Sequence, residues 1–191
     1  MKKKILAIAV LIICLSILTG STLAYFTTKD IARNVITSGG IRAEILEQQL
    51  ADGILKPYPE EKITILPGTA VSKIVTVRSG QAPAWLRARL TIAVYDAENK
   101  KLDIPAEELA KAISLSSPDE KWTLTEGWWY YTDALGNGEI SRPLLESVSF
   151  SGPNMGNEYQ NCTLEILVEL QAVQKANNGT TVAEAAGWPE A

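Results

Sequence analysis

Trp85-Leu86-Arg87-Ala88-Arg89-Leu90-Thr91-Ile92-Ala93-Val94-Tyr95 decides the fold class. Leu86, Ala88, Leu90, Ile92 and Val94 fall on one side, and Arg87, Arg89, Thr91 and Tyr95 on the other. Successive side chains of a strand point to opposite faces, so this period of two predicts a long strand with one buried face. Leu164, Ile166, Val168, Leu170 and Ala172 repeat the pattern near the C-terminus, with Glu165, Glu169 and Gln171 expected outward.

Shorter segments between and before these two read the same way. Ile41, Ala43 and Ile45 alternate with Arg42 and Glu44; Ile63-Thr64-Ile65 runs into a Pro67-Gly68 turn; Val71, Lys73, Val75 and Val77 share a face. Trp122–Leu124 and Trp128–Thr132 flank Gly127, Gly136-Asn137-Gly138 marks a turn, and Val148 and Phe150 end a further strand. Pro105, with Glu107 and Glu108 behind it, opens a short helix in which Leu109, Ala112 and Ile113 stand at helical spacing. Thr181-Val182-Ala183-Glu184 is a capping box, with Gly187 as a stop. Seven or eight short strands, one or two short helices and no βαβ rhythm predict an all-β, antiparallel β-sandwich over residues 41–191.

The N-terminus has a different character. Lys2-Lys3-Lys4 precedes an apolar run from Ile5 to Leu18, and Thr22-Leu23-Ala24 supplies a small-x-small site. This order predicts a helical signal peptide over 1–24, cut between Ala24 and Tyr25. The competing reading is a retained anchor, but the run is short of the roughly 20 residues that span a bilayer. Cys14 sits deep in the apolar run, without the small residues that precede a lipidated cysteine. Loss of 1–24 removes three lysines and no acid, so the formal charge moves from −4 to −7. Such an acidic chain is not built to hold nucleic acid or anionic lipid, and membrane contact is expected only through the signal peptide. Cys162 is then the lone cysteine, so the fold must stand on its core without a disulfide of its own.

Residues 25–40 are threonine-rich, with scattered apolar side chains, and read as an extended segment weakly attached to the domain. The chain has no histidine. Histidine-ligated zinc, a Ser-His-Asp triad and a Cys-His pair are therefore excluded. The carboxylate pairs Glu60-Glu61, Glu107-Glu108 and Asp119-Glu120 read as solvated surface, and the Asp96–Asp103 loop matches no calcium motif. No catalytic residue, metal or cofactor is expected. Trp128-Trp129-Tyr130-Tyr131 is the conspicuous cluster: alternation sends two rings inward and two outward. Core packing is one reading of the four, and a surface that meets polysaccharide or a partner is the other.

Several of these motifs together resemble the TasA and camelysin family of Gram-positive exported proteins, which a SipW-type signal peptidase processes. Leu23-Ala24-Tyr25-Phe26-Thr27 resembles the family's A-Y-F-[ST] junction, and Ser38-Gly39-Gly40-Ile41-Arg42-Ala43 its T-x-G-x-L-x-A entry to the first strand. Leu66-Pro67-Gly68, Trp85-Leu86-Arg87 and Gly127-Trp128-Trp129-Tyr130-Tyr131 resemble its L-x-P-G turn, a-Y-V-R strand and D-G-x-Y-Y-Y hairpin. Leu170–Gln174 with Glu184-Ala185-Ala186-Gly187-Trp188 resembles its last strand and A-W-x ending. The chain is more similar to the "alternate signal-mediated exported protein" type than to TasA. The resemblance implies a jelly-roll-like sandwich and a secreted subunit of biofilm matrix or cell-surface fibres. It also implies self-association, in which the segment freed by cleavage adds as a strand to the next subunit. Tyr25, Phe26, Ile31 and Val35 are the candidate donor residues; a disordered or folded-back tail is the competing reading. Camelysins are often labelled metalloproteases, a role the missing histidine argues against.

Overall fold

The computed structural model describes residues 26–29, 34–37, 41–61 and 63–189. The signal helix, the cleavage pair Ala24 and Tyr25, and the donor candidate Ile31 lie outside the described residues. The chain folds into two facing sheets, the all-β sandwich that the alternating segments predict.

The smaller sheet has five strands in the order β4-β3-β6-β11-β8: β3 is Ala43–Ala51, β4 Ile54–Pro57, β6 Ala70–Ser79, β8 Ile113–Leu115 and β11 Leu145–Phe150. The larger runs β5-β1-β12-β7-β10-β9: β1 is Phe26–Lys29, β5 Ile63–Ile65, β7 Ala84–Tyr95, β9 Trp122–Thr125, β10 Trp128–Tyr131 and β12 Thr163–Gln174. Strand β2, Asn34–Thr37, also pairs with β12. Among the described residues, all ladders are antiparallel except two, in which β1 and β2 lie parallel to β12.

Each sheet turns its apolar row inward. Ile45, Val75 and Val77 from one sheet meet Leu86, Leu164 and Leu170 from the other, all at 1% exposure or less. Burial of side chains of this size contributes about 1.5–3 kcal/mol each. Helix α1, Ala106–Ala112, starts behind Pro105, whose carbonyl accepts from the Glu108 and Leu109 amides. Ile113, expected on the helix face, is instead the first residue of β8 and pairs with Phe150. The helix ends one residue short of the apolar pattern because the ladder to β11 takes over. Two hairpins turn on left-handed pairs, Asp52-Gly53 (φ 55° and 75°) and Glu126-Gly127 (φ 50° and 80°). Two successive positive-φ residues match the right-handed twist of the flanking strands.

An ion pair sits within the sandwich. Lys73 shares the inward row with Val71, Val75 and Val77, and it is 3% exposed. Its Nζ lies 3.1 Å from Glu47 Oε2 and 3.9 Å from the Tyr58 ring centroid. Both charged side chains are almost wholly buried. Removing one member of a buried pair strands the other charge, whereas replacing both by apolar groups is often neutral. Glu47→Ala is therefore expected to lower stability by about 3–5 kcal/mol, and Glu47→Leu with Lys73→Met to recover most of it. Chemical denaturation of the three proteins measures this.

Candidate functional site

Strand β12 carries a different structure on each of its free aspects, its open edge and its outer face. At the edge, Thr27, Thr28 and Lys29 pair with Thr163, Leu164 and Glu165, and Asn34–Thr37 pair with Glu169–Ala172. β1 is flanked on its other side by β5, through Phe26↔Ile65, Thr27↔Thr64 and Thr28↔Ile63. The segment read from sequence as weakly attached thus completes one side of the larger sheet. Of the donor candidates, Phe26 lies on β1 and Val35 on β2, opposite Leu170.

On the outer face, β7 and β10 contribute Arg87, Arg89, Trp128 and Tyr130, and β12 contributes Glu169 and Gln171. The Arg87 guanidinium donates through Nε to Gln171 Oε1 at 2.8 Å, through Nη1 to Tyr130 Oη at 3.1 Å and through Nη2 to the Pro189 carbonyl at 3.4 Å. It also lies 4.4 Å from the Trp128 ring centroid and 4.8 Å from that of Trp188. Arg89 stands 4.7 Å from Trp128, with Nη2 2.6 Å from Glu169 Oε2. Gln171 closes the network by donating to Glu169 Oε1 at 3.3 Å.

The outward positions of β12 were expected to meet water, yet Gln171 is fully buried. The cause is a strap, residues 175–189, that folds back over this face. Asn178 pins it. Its carbonyl accepts from Trp85 Nε1 at 2.8 Å, its Nδ2 donates to the Gln174 and Ala186 carbonyls, and its Oδ1 accepts from the Ala186 amide. Gly179 has φ +78°, and a Cβ there would meet Glu184 Cβ at 2.9 Å, so this bend requires glycine. The capping box forms on a single 3-10 turn, Val182–Glu184. The Glu184 carboxylate accepts from the Thr180 amide and hydroxyl and from the Thr181 amide. Trp188 then lies edge-to-face with Tyr130, ring centroids 5.8 Å apart.

The four aromatics expected to divide between the faces do so. Tyr131 packs on Trp122 at 5.0 Å and Trp129 lies against the core. Trp128 and Tyr130 face outward, but Trp128 is 7% exposed beneath the two arginines. Tyr130 is the outward ring left partly accessible. Between it and the strap runs a groove of about 370 Å³. Thr123, Thr125 and Trp188 line this groove and were not singled out from sequence as site residues. Outward threonines on an edge strand carry no periodic signal, and the strap's approach is a long-range contact.

Elsewhere, Cys162 is a buried free thiol, and burial pushes its pKa up. The Asp96 carboxylate accepts from the Lys100 amide within its own turn. Among the described residues, no group of three or more acidic or thiol side chains is placed to hold a metal ion. No protein-family model, curated protein or solved structure matches the chain.

Two expectations follow for the strap. Lysine at position 87 would keep the charge but lose the planar fork and the ring stacking, so Arg87→Lys should destabilise the protein by about 2 kcal/mol. It should also expose the strap to proteolysis, which mass mapping of limited digests reports. Glu184 is held below the ordinary carboxylate range, first by the Thr180 amide and then by its hydroxyl. A depressed folded pKa means that the carboxylate supports the strap at neutral pH. That support is lost as pH falls from the ordinary carboxylate range through the lower folded value. The protection of amides in residues 177–188 against exchange, relative to their intrinsic rates, should therefore fall in that window, and the Glu184→Gln protein should lack the transition.

Proposed function

We propose that the chain is a secreted, non-enzymatic structural subunit of biofilm matrix or cell-surface fibres, assembled by exchange of its N-terminal segment. The observation that carries this reading is the pair of four-residue strands, β1 and β2, laid parallel on β12. A short strand laid into a sheet is held through its backbone, and the same ladders to β12 form whichever copy supplies it. Exchange between copies is therefore nearly neutral in contact energy. What opposes it is the effective concentration of a segment tethered to its own body, which reaches millimolar for short flexible linkers. Assembly is then favoured where subunits are crowded, as at the surface of the exporting cell.

The resemblance to the TasA and camelysin family at Leu23–Thr27 supports the same reading. A SipW-type peptidase cutting between Ala24 and Tyr25 would free the segment, making cleavage an assembly switch. The missing histidine and the lone buried Cys162 support a non-enzymatic role.

Mature protein beginning at Tyr25 is expected to form fibres under electron microscopy. Deletion of residues 25–38 should leave a folded monomer by circular dichroism and sedimentation. A synthetic 25–38 peptide should bind that monomer and should arrest growth of the intact protein. Fibres of normal appearance from the deleted protein would overturn the proposal. Assembly of uncleaved precursor at the mature rate would remove the switch.

A further inference from the structure

We infer that the groove between the C-terminal strap and the β9–β10 hairpin binds a neutral sugar ring of a glycan. Thr123, Thr125 and Tyr130 form one wall, and Val182, Ala185 and Trp188 form the other. Its volume of about 370 Å³ lies at the lower end of the range for small-molecule sites.

Among the described residues, no charged side chain lines the groove. The nearest charge, the Arg87 guanidinium, is spent on Gln171, Tyr130 and the Pro189 carbonyl, and the lining itself offers an ionised ligand no direct partner, which favours an uncharged occupant. The walls divide into aromatic and aliphatic surface on the strap side and hydroxyls on the strand side. A pyranose has the matching division: an apolar C–H face and a rim of hydroxyls. Thr123 and Thr125 are two residues apart on β9, so their side chains share a face roughly 6.6–6.8 Å apart along the strand. Two ring hydroxyls on one edge of a sugar suit such a pair of donor–acceptors.

The rings are held before anything binds. Trp188 Nε1 donates to the Ala185 carbonyl at 3.0 Å, and the indole lies against Arg87. Tyr130 Oη accepts from Arg87 Nη1 at 3.1 Å, which directs the phenol's own proton away from the guanidinium and leaves it to donate to a ligand. Side chains fixed in this way lose little entropy on binding. Arg87 thus acts as a positioning residue for both rings. Trp128 and Trp129, the more conspicuous indoles, are outside the lining of the groove.

The test uses the whole mature protein. Neutral hexose oligomers are titrated in, alongside N-acetylhexosamine oligomers and a polyuronate, with tryptophan fluorescence and calorimetry as readouts. Binding of the neutral hexose oligomer, with none of the polyuronate, is expected. Preference for the N-acetylated oligomer would identify a wall glycan as the source in place of an exopolysaccharide, with the same site chemistry. Trp188→Ala should weaken binding about tenfold or more, the scale of one lost aromatic contact. Because Trp188→Ala also loosens the strap, Thr123→Val with Thr125→Val is the decisive variant. It conserves volume and leaves the strap untouched, and it should weaken binding at least about fivefold. No binding of any neutral oligomer, or binding indifferent to both variants, overturns the inference. Unchanged sugar binding with tighter binding of an apolar peptide by the double valine variant would reassign the groove to a peptide partner. Protein lacking residues 25–38 should bind sugar normally, so failure of this inference and failure of fibre assembly are separate outcomes.

Discussion

Twelve consecutive register pairs join β7 to β12, from Ala84↔Gln174 to Tyr95↔Thr163, and every other part of the larger sheet hangs on that ladder. The inner rows of the two strands form one wall of the core. Their free edges accept β10 on one side and β1 with β2 on the other. Their outer rows carry Arg87, Arg89, Glu169 and Gln171, the polar layer on which the strap rests. A slip of one residue would turn the apolar row outward and bring two arginines into the core. The register is therefore fixed from both faces at once.

Buried polarity is handled in two ways. Lys73 enters the core as half of an ion pair, capped by the face of Tyr58. Arg87 stays on the outer face, and the chain comes to it. Guanidinium suits this second arrangement, because its fork bonds three partners in one plane while its faces meet Trp128 and Trp188. Lysine suits the first, as a compact charge set beside the Glu47 carboxylate.

The sequence made the sandwich legible because burial in an antiparallel strand writes a period of two. Leu86–Val94 and Leu164–Ala172 carry that period cleanly, and the turns at Gly68, Gly127 and Gly138 separate the shorter strands. The Asp52-Gly53 turn and the β3–β4 pair that it joins were not read from the alternating pattern, although Asp-Gly is a two-residue hairpin signal. The rest left no such trace. Gln171 and Glu169 read as solvent-facing because alternation reports which side of the sheet a residue is on, not what lies across it. Lys73 was placed on the inward row by spacing alone, while its partner Glu47 lies 26 positions away. The parallel placement of Phe26–Lys29 and Asn34–Thr37 has no local signature, since four-residue strands rich in threonine and asparagine make their bonds through the backbone. The groove was illegible for the same reason: Thr123, Thr125 and Trp188 meet only after the strap has folded.

The position of β12 in the chain also sets an order of events. The strand that joins both edges of the larger sheet spans Thr163–Gln174 and is synthesised after every other described strand of the two sheets. No shorter chain holds the β7 ladder, so a growing chain has neither a closed core nor an edge for its own first strands. Such non-local pairing makes folding slow relative to chains built on local contacts. Strands β1 and β2, made before β12, therefore find their place on it only after it has emerged. Until then, β5 is the one strand of its ladders that β1 has to pair with.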